Sequence, residues 1–259
     1  MTSGKKARQR RTPPPVRSTG GRTASPKVLA AAAIVIALAA VGAALAFALT
    51  GNGSGSSSTS ASTLPDAPAT LRMFRGIPQR GTLLGKTSAP VTIVEYIDLQ
   101  CPVCRAFETE VMPTIIQRFV RPGKVKVVAR PLAFITPAQN SQRGRLAALA
   151  AGRQGHFFDF AQLMYANQGT EGTDWLTDDM VRSAFASIPG LKAQRALAER
   201  SSPAIASRAS EFDTQANADG VSGTPTVLVG KSGGKLVEVA PGFAPSVQQL
   251  SAAIQKASR

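Results

Sequence analysis

Residues 94–104 read VEYIDLQCPVC, an apolar run that ends in two cysteines three positions apart. The run starts earlier, because residues 90–97 (PVTIVEYI) are rich in β-branched side chains and are bounded by proline and polar residues. This pattern predicts a buried strand. Apolar side chains then recur at helical spacing over residues 107–119, and Pro102 suits the first position of a helix. Cys101 is therefore expected where a strand ends and a helix begins.

The segments that follow complete an α/β pattern. Residues 124–131 (KVKVVARP) predict a second strand, so that strand, helix and strand form a βαβ unit with a parallel pair. Pro113 should kink the helix between them. Residues 138–217 show helical spacing and helix-start signals. Residues 223–239 predict a β-hairpin, and residues 247–254 predict a last amphipathic helix. The expected order is βαβ, an all-helical insertion, and ββα.

The N-terminal part of the chain differs in composition from the rest. Residues 1–27 carry eight basic side chains and no acidic one, which predicts a cytoplasmic tail beside a membrane. Residues 28–49 are apolar apart from Gly42, and as a helix of about 33 Å they would cross a bilayer core of about 30 Å. A cleaved signal peptide is the alternative, although its apolar part is usually only about 7–15 residues long. Residues 50–66 predict a flexible Gly/Ser/Thr linker, and residues 67–259 predict the folded domain.

Composition narrows the class of protein. The chain carries a formal net charge of +15, and 43% of its residues are apolar, which is typical of a folded protein. Membrane topology and anionic lipid headgroups explain the charge of the basic tail, so no nucleic-acid partner is expected. Two cysteines and one histidine exclude a Cys₄ or Cys₂His₂ zinc site, and neither a metal nor another cofactor is expected. Arg143, Arg145 and Arg153 are expected on a solvated face.

The two cysteines, Cys101 and Cys104, are the candidates for the chemistry. Only a thiolate attacks a disulfide, so a redox-active cysteine needs a lowered pKa. A helix N-terminus lowers it, because unpaired backbone N–H groups and the aligned dipole favour negative charge there. Cys101 occupies that position, and Cys104 lies one turn further along the same face. We predict that Cys101 is the nucleophile and that Cys104 is the resolving thiol.

Other uses of this cysteine pair fit less well. A structural disulfide remains an alternative in an oxidising compartment, but so short a loop removes little entropy from the unfolded chain. A c-type haem site needs a histidine after the second cysteine, and Arg105 stands there. A metal site needs further ligands, which the one histidine hardly provides. That residue, His156, precedes two phenylalanines and is expected at a helix start or in packing.

At these residues the sequence resembles the DsbA-like thiol–disulfide oxidoreductases of the thioredoxin superfamily. The resemblance rests on residues 94–104, on the late Gly-Thr-Pro-Thr of residues 223–226 and on the helical block between them, and it covers about residues 74–259. It implies a thioredoxin fold with a helical insertion and an activity in dithiol–disulfide exchange. It also implies that Pro225 is cis and packs beside the active-site disulfide, and that Thr224 offers its backbone to an extended substrate. An ordinary trans proline is the alternative.

Specific expectations follow for three residues near the cysteines, Glu95, Pro102 and Val103. Glu95 lies six residues before Cys101, where members of this family carry a buried acid. An acid inside an apolar strand should have a raised pKa and is a candidate proton relay for Cys104, whereas a solvated glutamate at an edge is the alternative. Pro102 and Val103 are expected to contact substrate. Because Val103 stands where the most oxidising relatives carry a histidine that helps hold the thiolate, we expect a less oxidising couple.

Together these features predict a single-pass membrane-anchored thiol–disulfide oxidoreductase whose catalytic domain faces the extracytoplasmic space. Its expected task is to introduce disulfides into reduced or misoxidised exported proteins, and a membrane redox partner is expected to reset the dithiol. A reductase or an isomerase of the same fold remains an alternative function, since Thr224 before Pro225 is compatible with each. The absence of a recognisable dimerisation domain disfavours an isomerase and predicts a monomer. The non-enzymatic alternative is a thioredoxin-like binding module with a static Cys101–Cys104 bond.

Overall fold

A computed structural model of the protein describes residues 62–259. The predicted basic tail (1–27), the predicted membrane helix (28–49) and most of the predicted linker lie outside these residues. Among the residues that are described, no helix combines the length and the apolar character needed to cross a membrane.

A six-stranded mixed sheet forms the centre of the domain. The strands are β1 (Gln79–Arg80), β2 (Leu83–Leu84), β3 (Val91–Ile97), β4 (Val125–Pro131), β5 (Thr226–Lys231) and β6 (Val237–Glu238). Their order is β1-β2-β4-β3-β5-β6, in which β3 and β4 are parallel and the other neighbouring pairs are antiparallel. The predicted βαβ unit and late hairpin are confirmed, although β6 is shorter than the strand expected there. β1 and β2 were not predicted.

The helices follow the predicted order. They are α1 (Ala67–Leu71), α2 (Pro102–Ala106), α3 (Met112–Ile115), α4 (Ala138–Gly152), α5 (Phe157–Ala166), α6 (Asp178–Ala186), α7 (Ala193–Glu199), α8 (Pro203–Ala218) and α9 (Val247–Ala257). A short 3₁₀ turn, Arg72–Phe74, follows α1. α4 to α8 form the predicted helical insertion between β4 and β5.

The helix predicted after Cys101 is present and contains two π-helical turns. α2 continues into the π-helical turn Phe107–Val111, then into α3, and then into a second π-helical turn, Ile116–Val120. Pro113 is the second residue of α3. Because proline lacks an N–H and its ring clashes with the carbonyl four residues earlier, the wider turn before it accommodates the interruption. The expected kink therefore takes the form of a change in pitch.

The strand β3 lies at the centre of the core. All seven of its residues are buried, whereas those of β4 alternate between buried and partly exposed. Since successive side chains of a strand point to opposite faces, Glu95 and Tyr96 point in opposite directions. Glu95 lies next to Glu108 of the helix that follows Cys101, and Tyr96 contacts Asp219 at the end of α8. Helices therefore cover both faces of the sheet.

One expectation about the insertion was wrong. Arg145 of α4 was expected on a solvated face, but only 4% of it is exposed. Its guanidinium donates hydrogen bonds to the carbonyl oxygen of Ala209 and, at 2.8 Å, to the carboxylate of Asp213, both in α8. A guanidinium can be buried when an anion and hydrogen-bond acceptors compensate its charge. These partners lie more than 60 residues away in the chain, so helical spacing alone did not indicate them.

Candidate active site

Cys101 occupies the N-cap position of α2, just after the carboxyl end of β3. Its Sγ accepts a hydrogen bond from the backbone N–H of Cys104 at 3.4 Å, and its carbonyl accepts one from Arg105 at 3.0 Å. The sulfur therefore takes the place of the side-chain oxygen in an ordinary N-cap. Pro102 occupies the first turn, where its missing N–H leaves no hydrogen bond unmade. The reactive sulfur lies at the positive end of the helix dipole, as predicted.

The two thiols have opposite environments, and both are free in this structure. The side chain of Cys104 hydrogen-bonds to the Cys101 sulfur and, together with backbone N–H groups at the helix start, lowers the pKa of Cys101 to about 6 against the opposing effect of burial. Burial raises the pKa of Cys104 well above its usual value, and this side chain is 0% exposed. At neutral pH, Cys101 is therefore largely a thiolate and Cys104 a thiol. This is the division of roles that an attacking and a resolving cysteine require.

The segment before β5 lies against the reactive sulfur. The peptide bond between Thr224 and Pro225 is cis, which confirms what the family resemblance implied. In its thiol form, Cys101 donates a hydrogen bond to the carbonyl oxygen of Thr224 at 3.3 Å. The backbone at Thr224 thus lies directly beside the sulfur at which exchange takes place.

A groove of about 530 Å³ opens next to this contact. It is lined by Val103, by Thr224 and its neighbours, and by the loop between β6 and α9. Two large apolar side chains on its rim are exposed, Val103 by 50% and Phe243 by 79%. Phe243 was missed at the sequence level, where its only signal was an aromatic side chain in a Pro-Gly-Phe loop. The rim of the groove thus offers apolar side chains to a polypeptide that reaches Cys101.

Two carboxyl groups are buried together between β3 and the helix that follows Cys101. Burial, and repulsion from Glu108, raise the pKa of Glu95 well above its usual value, and burial raises the pKa of Glu108 to about 8. In the described part of the chain, neither carboxyl oxygen of Glu95 has a hydrogen-bond partner. Glu108 therefore keeps a proton at neutral pH, and the raised pKa of Glu95 favours its protonated form as well. The alternative of a solvated Glu95 is excluded, and Glu108 is a residue that sequence analysis missed.

Asp98, directly after β3, fixes the loop that carries the cysteines. Its fully buried carboxylate accepts hydrogen bonds from the backbone of Gln100 (2.9 Å) and the hydroxyl of Ser141 (2.9 Å) through one oxygen. The other oxygen accepts from the backbone N–H groups of Phe134 (2.7 Å) and Ile135 (2.9 Å). The end of β3, the loop after β4 and the start of α4 are thus joined at one side chain.

Two glutamines add to this support. Nε2 of Gln168, just after α5, donates to the carbonyl oxygens of Leu99 at 2.8 Å and Cys101 at 3.2 Å. Nε2 of Gln100 donates to the Ser141 hydroxyl at 2.8 Å. Sequence analysis missed both glutamines, because their partners are tens of residues away and polar residues of this kind carry no periodic signal. The cysteine loop is therefore held from the insertion as well as from the sheet.

The predicted site residues lie on, and next to, the helix that begins at Cys101. Cys101, Cys104 and the residues between them form the start of α2 and meet Thr224 and Pro225, and Glu95 is buried against Glu108, one helical turn after Cys104. Among residues 62–259, no group of three or more His, Cys, Asp or Glu side chains is arranged to hold a metal ion. The arrangement is suited to exchange between a dithiol and a disulfide.

Comparisons with known proteins bear on this reading. The family model described as Thioredoxin matches residues 79–255. Probable disulfide bond formation protein D of Bacillus cereus is 30% identical over 149 residues, which are 56% of this chain and 68% of that protein. Disulfide bond formation protein D of Bacillus subtilis is 29% identical over 153 residues, 57% of this chain and 66% of that protein.

Solved structures agree on the fold. Oxidised BdbD from Bacillus subtilis superposes with a TM-score of 0.60 at 23% identity, covering 70% of this chain and 97% of that one. A thioredoxin-like oxidoreductase from Silicibacter pomeroyi gives a TM-score of 0.54 at 25% identity, covering 75% of this chain and 98% of that one. Since the Thioredoxin family model covers more than half of the sequence and the relatives are disulfide bond formation proteins, the chain belongs to the DsbA-like thiol–disulfide oxidoreductases of the thioredoxin superfamily.

Proposed function

We propose that this enzyme introduces disulfide bonds into exported proteins through its Cys101-Pro102-Val103-Cys104 site. The main support is the contrast between the two thiols, since the pKa of Cys101 is lowered to about 6 and that of Cys104 is raised. A sulfur of low pKa leaves readily from a mixed disulfide. Release of the substrate from Cys101 is therefore favoured, and the disulfide passes to the substrate.

The exchange takes place in two displacements. A substrate thiolate attacks Sγ of Cys101 in the oxidised enzyme, the bond to Cys104 breaks, and Cys104 leaves with the electron pair. A second substrate thiolate attacks the substrate sulfur of the mixed disulfide, and Cys101 leaves as a thiolate. The substrate has then lost two electrons and the enzyme has gained them. A membrane redox partner that accepts these two electrons would restore the Cys101–Cys104 disulfide.

We assign Glu95 the role of proton donor to Cys104. Because burial raises the pKa of Cys104 well above its usual value, the departing thiolate must take up a proton. Burial and the adjacent Glu108 raise the pKa of Glu95 well above its usual value, which favours the protonated form that a donor needs. Tyr165 is buried close to both parts of the site, and burial, followed by the charges of Cys104 and Glu108, raises its pKa.

Substrate binding is assigned to the groove beside Cys101. Thr224 and Pro225 offer backbone groups next to the sulfur, and Pro102 and Val103 form the exposed start of α2. An unfolded polypeptide can pair with the backbone at Thr224 while its apolar side chains contact the groove. This mode of binding uses backbone groups, and it therefore accepts many sequences.

The proposed location follows from the sequence. Residues 28–49 would anchor the protein in the membrane with residues 1–27 in the cytoplasm, and residues 50–66 would connect the anchor to an extracytoplasmic domain of residues 67–259. A cell-fractionation experiment that finds the chain in the membrane, with the domain accessible to protease from outside the cell, would support this arrangement.

The test of the activity uses the full chain in detergent, oxidised beforehand and mixed with reduced, unfolded ribonuclease. We expect stoichiometric formation of substrate disulfides and loss of the enzyme disulfide. Reduced Cys104→Ala, mixed with ribonuclease that already carries disulfides, should attack one of them through Cys101, release a substrate thiolate and accumulate a mixed disulfide. The matched variant Cys101→Ala should not. Failure of the oxidised wild-type enzyme to transfer its disulfide would contradict the proposal.

A reductase is the second candidate, and one observation favours it. The pKa of Cys101, about 6, is nearer to the thioredoxin value of about 7 than to the DsbA value of about 3.5. A less stabilised thiolate makes the couple less oxidising. Rapid reduction of insulin with a thiol donor, together with slow oxidation of ribonuclease, would favour this reading.

A further inference from the structure

Three residues form one row across the sheet beneath the segment that carries Thr224, which is residues 220–225, between α8 and β5. Arg130 of β4 is the register partner of Tyr96 in β3, and Tyr96 is the register partner of Thr226 in β5. Since directly opposed residues point to the same face of a sheet, the three side chains lie side by side on the face towards α8. We call these three residues the cross-strand row.

Arg130 and Tyr96 hold the beginning of the segment. The Tyr96 hydroxyl donates to Oδ2 of Asp219 at 2.6 Å, and Nη1 of Arg130 lies 2.9 Å from the same oxygen. Arg130 also donates to the Tyr96 hydroxyl, and its guanidinium stacks over the Tyr96 ring at 5.2 Å. Asp219 is the C-cap residue of α8, so these contacts fix the point at which the chain leaves the helix. Burial, and then the hydrogen bond to Asp219, raise the pKa of Tyr96 to about 12, so its hydroxyl stays a donor.

Thr226 holds the other end. Its hydroxyl donates to the carbonyl oxygen of Gly223 at 2.9 Å. Between the two anchored ends the chain contains Gly220, at φ +71°, and Gly223, and glycine has more backbone freedom than other residues. Thr224 follows Gly223 directly. The position of its carbonyl, 3.3 Å from the Cys101 sulfur, therefore depends on contacts that lie outside the segment itself.

We propose that the cross-strand row consists of positioning residues, which hold the Thr224 backbone where an extended substrate can pair with it while its sulfur reacts at Cys101. The proposal rests on the proposed substrate-binding role of Thr224. None of the three side chains hydrogen-bonds to either sulfur among the described residues. Their removal should therefore affect peptide substrates, which use the backbone at Thr224, and spare small thiols, which do not.

The test compares two substrates in full-length variants. Tyr96→Phe removes the hydroxyl and keeps the ring, and Asp219→Asn weakens the same contact from the partly exposed side. We expect each variant to lower the second-order rate constant with a cysteine-containing peptide about tenfold. The rate constant with glutathione and the rate of Cys101 alkylation by iodoacetamide should change less than twofold. The double variant should be no slower than the slower single variant, because both changes remove one interaction.

Thr92→Val is the matched control. Thr92 is also buried in β3, and its hydroxyl is 2.8 Å from that of Ser232. This variant should leave the ratio of peptide to glutathione rates at the wild-type value even where its melting temperature falls. An unchanged ratio in Tyr96→Phe and Asp219→Asn, or a changed ratio in Thr92→Val, would overturn the proposal. If the wild type reduces substrates and does not oxidise them, the same ratio is measured with a peptide disulfide and oxidised glutathione. A failure of the proposed oxidase activity is then distinguished from a failure of the positioning role.

Discussion

Replacing Val103 with histidine should lower the pKa of Cys101 and make the enzyme more oxidising. Val103 is 50% exposed, and its backbone N–H already contributes to the low pKa of Cys101. A cation within about 4–6 Å lowers the pKa of a group that ionises to an anion by about 1–3 units. Because solvent screens a charge at this half-exposed position, we expect the lower limit, a fall of about one pKa unit.

This fall has a calculable effect on the reduction potential. One pKa unit corresponds to about 1.4 kcal/mol. At pH 7, Cys101 is already largely ionised, since its pKa is about 6. This free energy therefore stabilises the reduced enzyme to the extent that the histidine, whose ordinary pKa is about 6.5, is protonated beside the thiolate. For a two-electron couple, about 1.4 kcal/mol corresponds to about 30 mV. Val103→His should therefore be about 15–30 mV more oxidising than the wild type. The wild type itself should lie between thioredoxin at about −270 mV and DsbA at about −120 mV.

The assay measures both quantities on the same variants. The ultraviolet absorbance of the thiolate, followed against pH, gives the pKa of Cys101, and equilibration with glutathione redox buffers gives the potential. Val103→Gln is the control, because glutamine is similar in size to histidine and carries no charge, and both values should stay close to those of the wild type. Equal shifts in the two variants, or no shift in Val103→His, would refute the electrostatic reasoning.

Three further predictions follow from the buried groups. The rate of Cys101 alkylation should rise with pH around a midpoint near 6, while Cys104 stays unmodified in the folded protein, as mass spectrometry of the labelled peptides would show. Glu108→Gln should stabilise the protein by an amount that grows from the unfolded pKa of about 4.3 up to pH 8 and is on the order of 3 kcal/mol at pH 7. The folded state keeps a proton on Glu108 that the unfolded chain has lost, so the stability of the wild type falls as pH rises through this range. Urea unfolding of both proteins at several pH values would measure the difference in stability. A difference that does not depend on pH would contradict the prediction. Asp98→Asn should lower the free energy of unfolding by about 2–4 kcal/mol. An amide cannot accept all four hydrogen bonds, and its NH₂ group would face N–H and O–H donors. A loss below about 0.5 kcal/mol in urea titration would show that the carboxylate is not needed.

Local patterns were sufficient for the parts of the fold that lie next to one another in the chain. The β-branched run of β3, the proline after Cys101 and the helical spacing beyond it placed the reactive sulfur at the start of a helix. The cis bond at Pro225 came from the family resemblance, because a Thr-Pro pair has no local feature that fixes its isomer. β1 and β2 escaped prediction, since two residues each are too few to show an alternating pattern.

The residues that support the cysteine loop could not be predicted from the sequence, for a different reason. Gln168 binds carbonyl groups 67 and 69 residues away, and Asp98 binds N–H groups 36 and 37 residues away. A single polar residue in a loop carries no signal of such a partner. Glu108 lies on an amphipathic helix where most glutamates are solvated, and only the packing of that helix against β3 reveals its pairing with Glu95.

The hydrogen bonds of Asp98 also limit how this enzyme can be redesigned. Its carboxylate binds Ser141, which belongs to the first helix of the insertion, so a shortened protein that keeps only the sheet and its flanking helices would retain a buried anion with part of its shell removed. The same deletion would take away Gln168 and release the backbone around Cys101. The helical insertion therefore cannot be deleted without other changes. A shortened enzyme would need an apolar residue in place of Asp98 and new contacts that hold the cysteine loop.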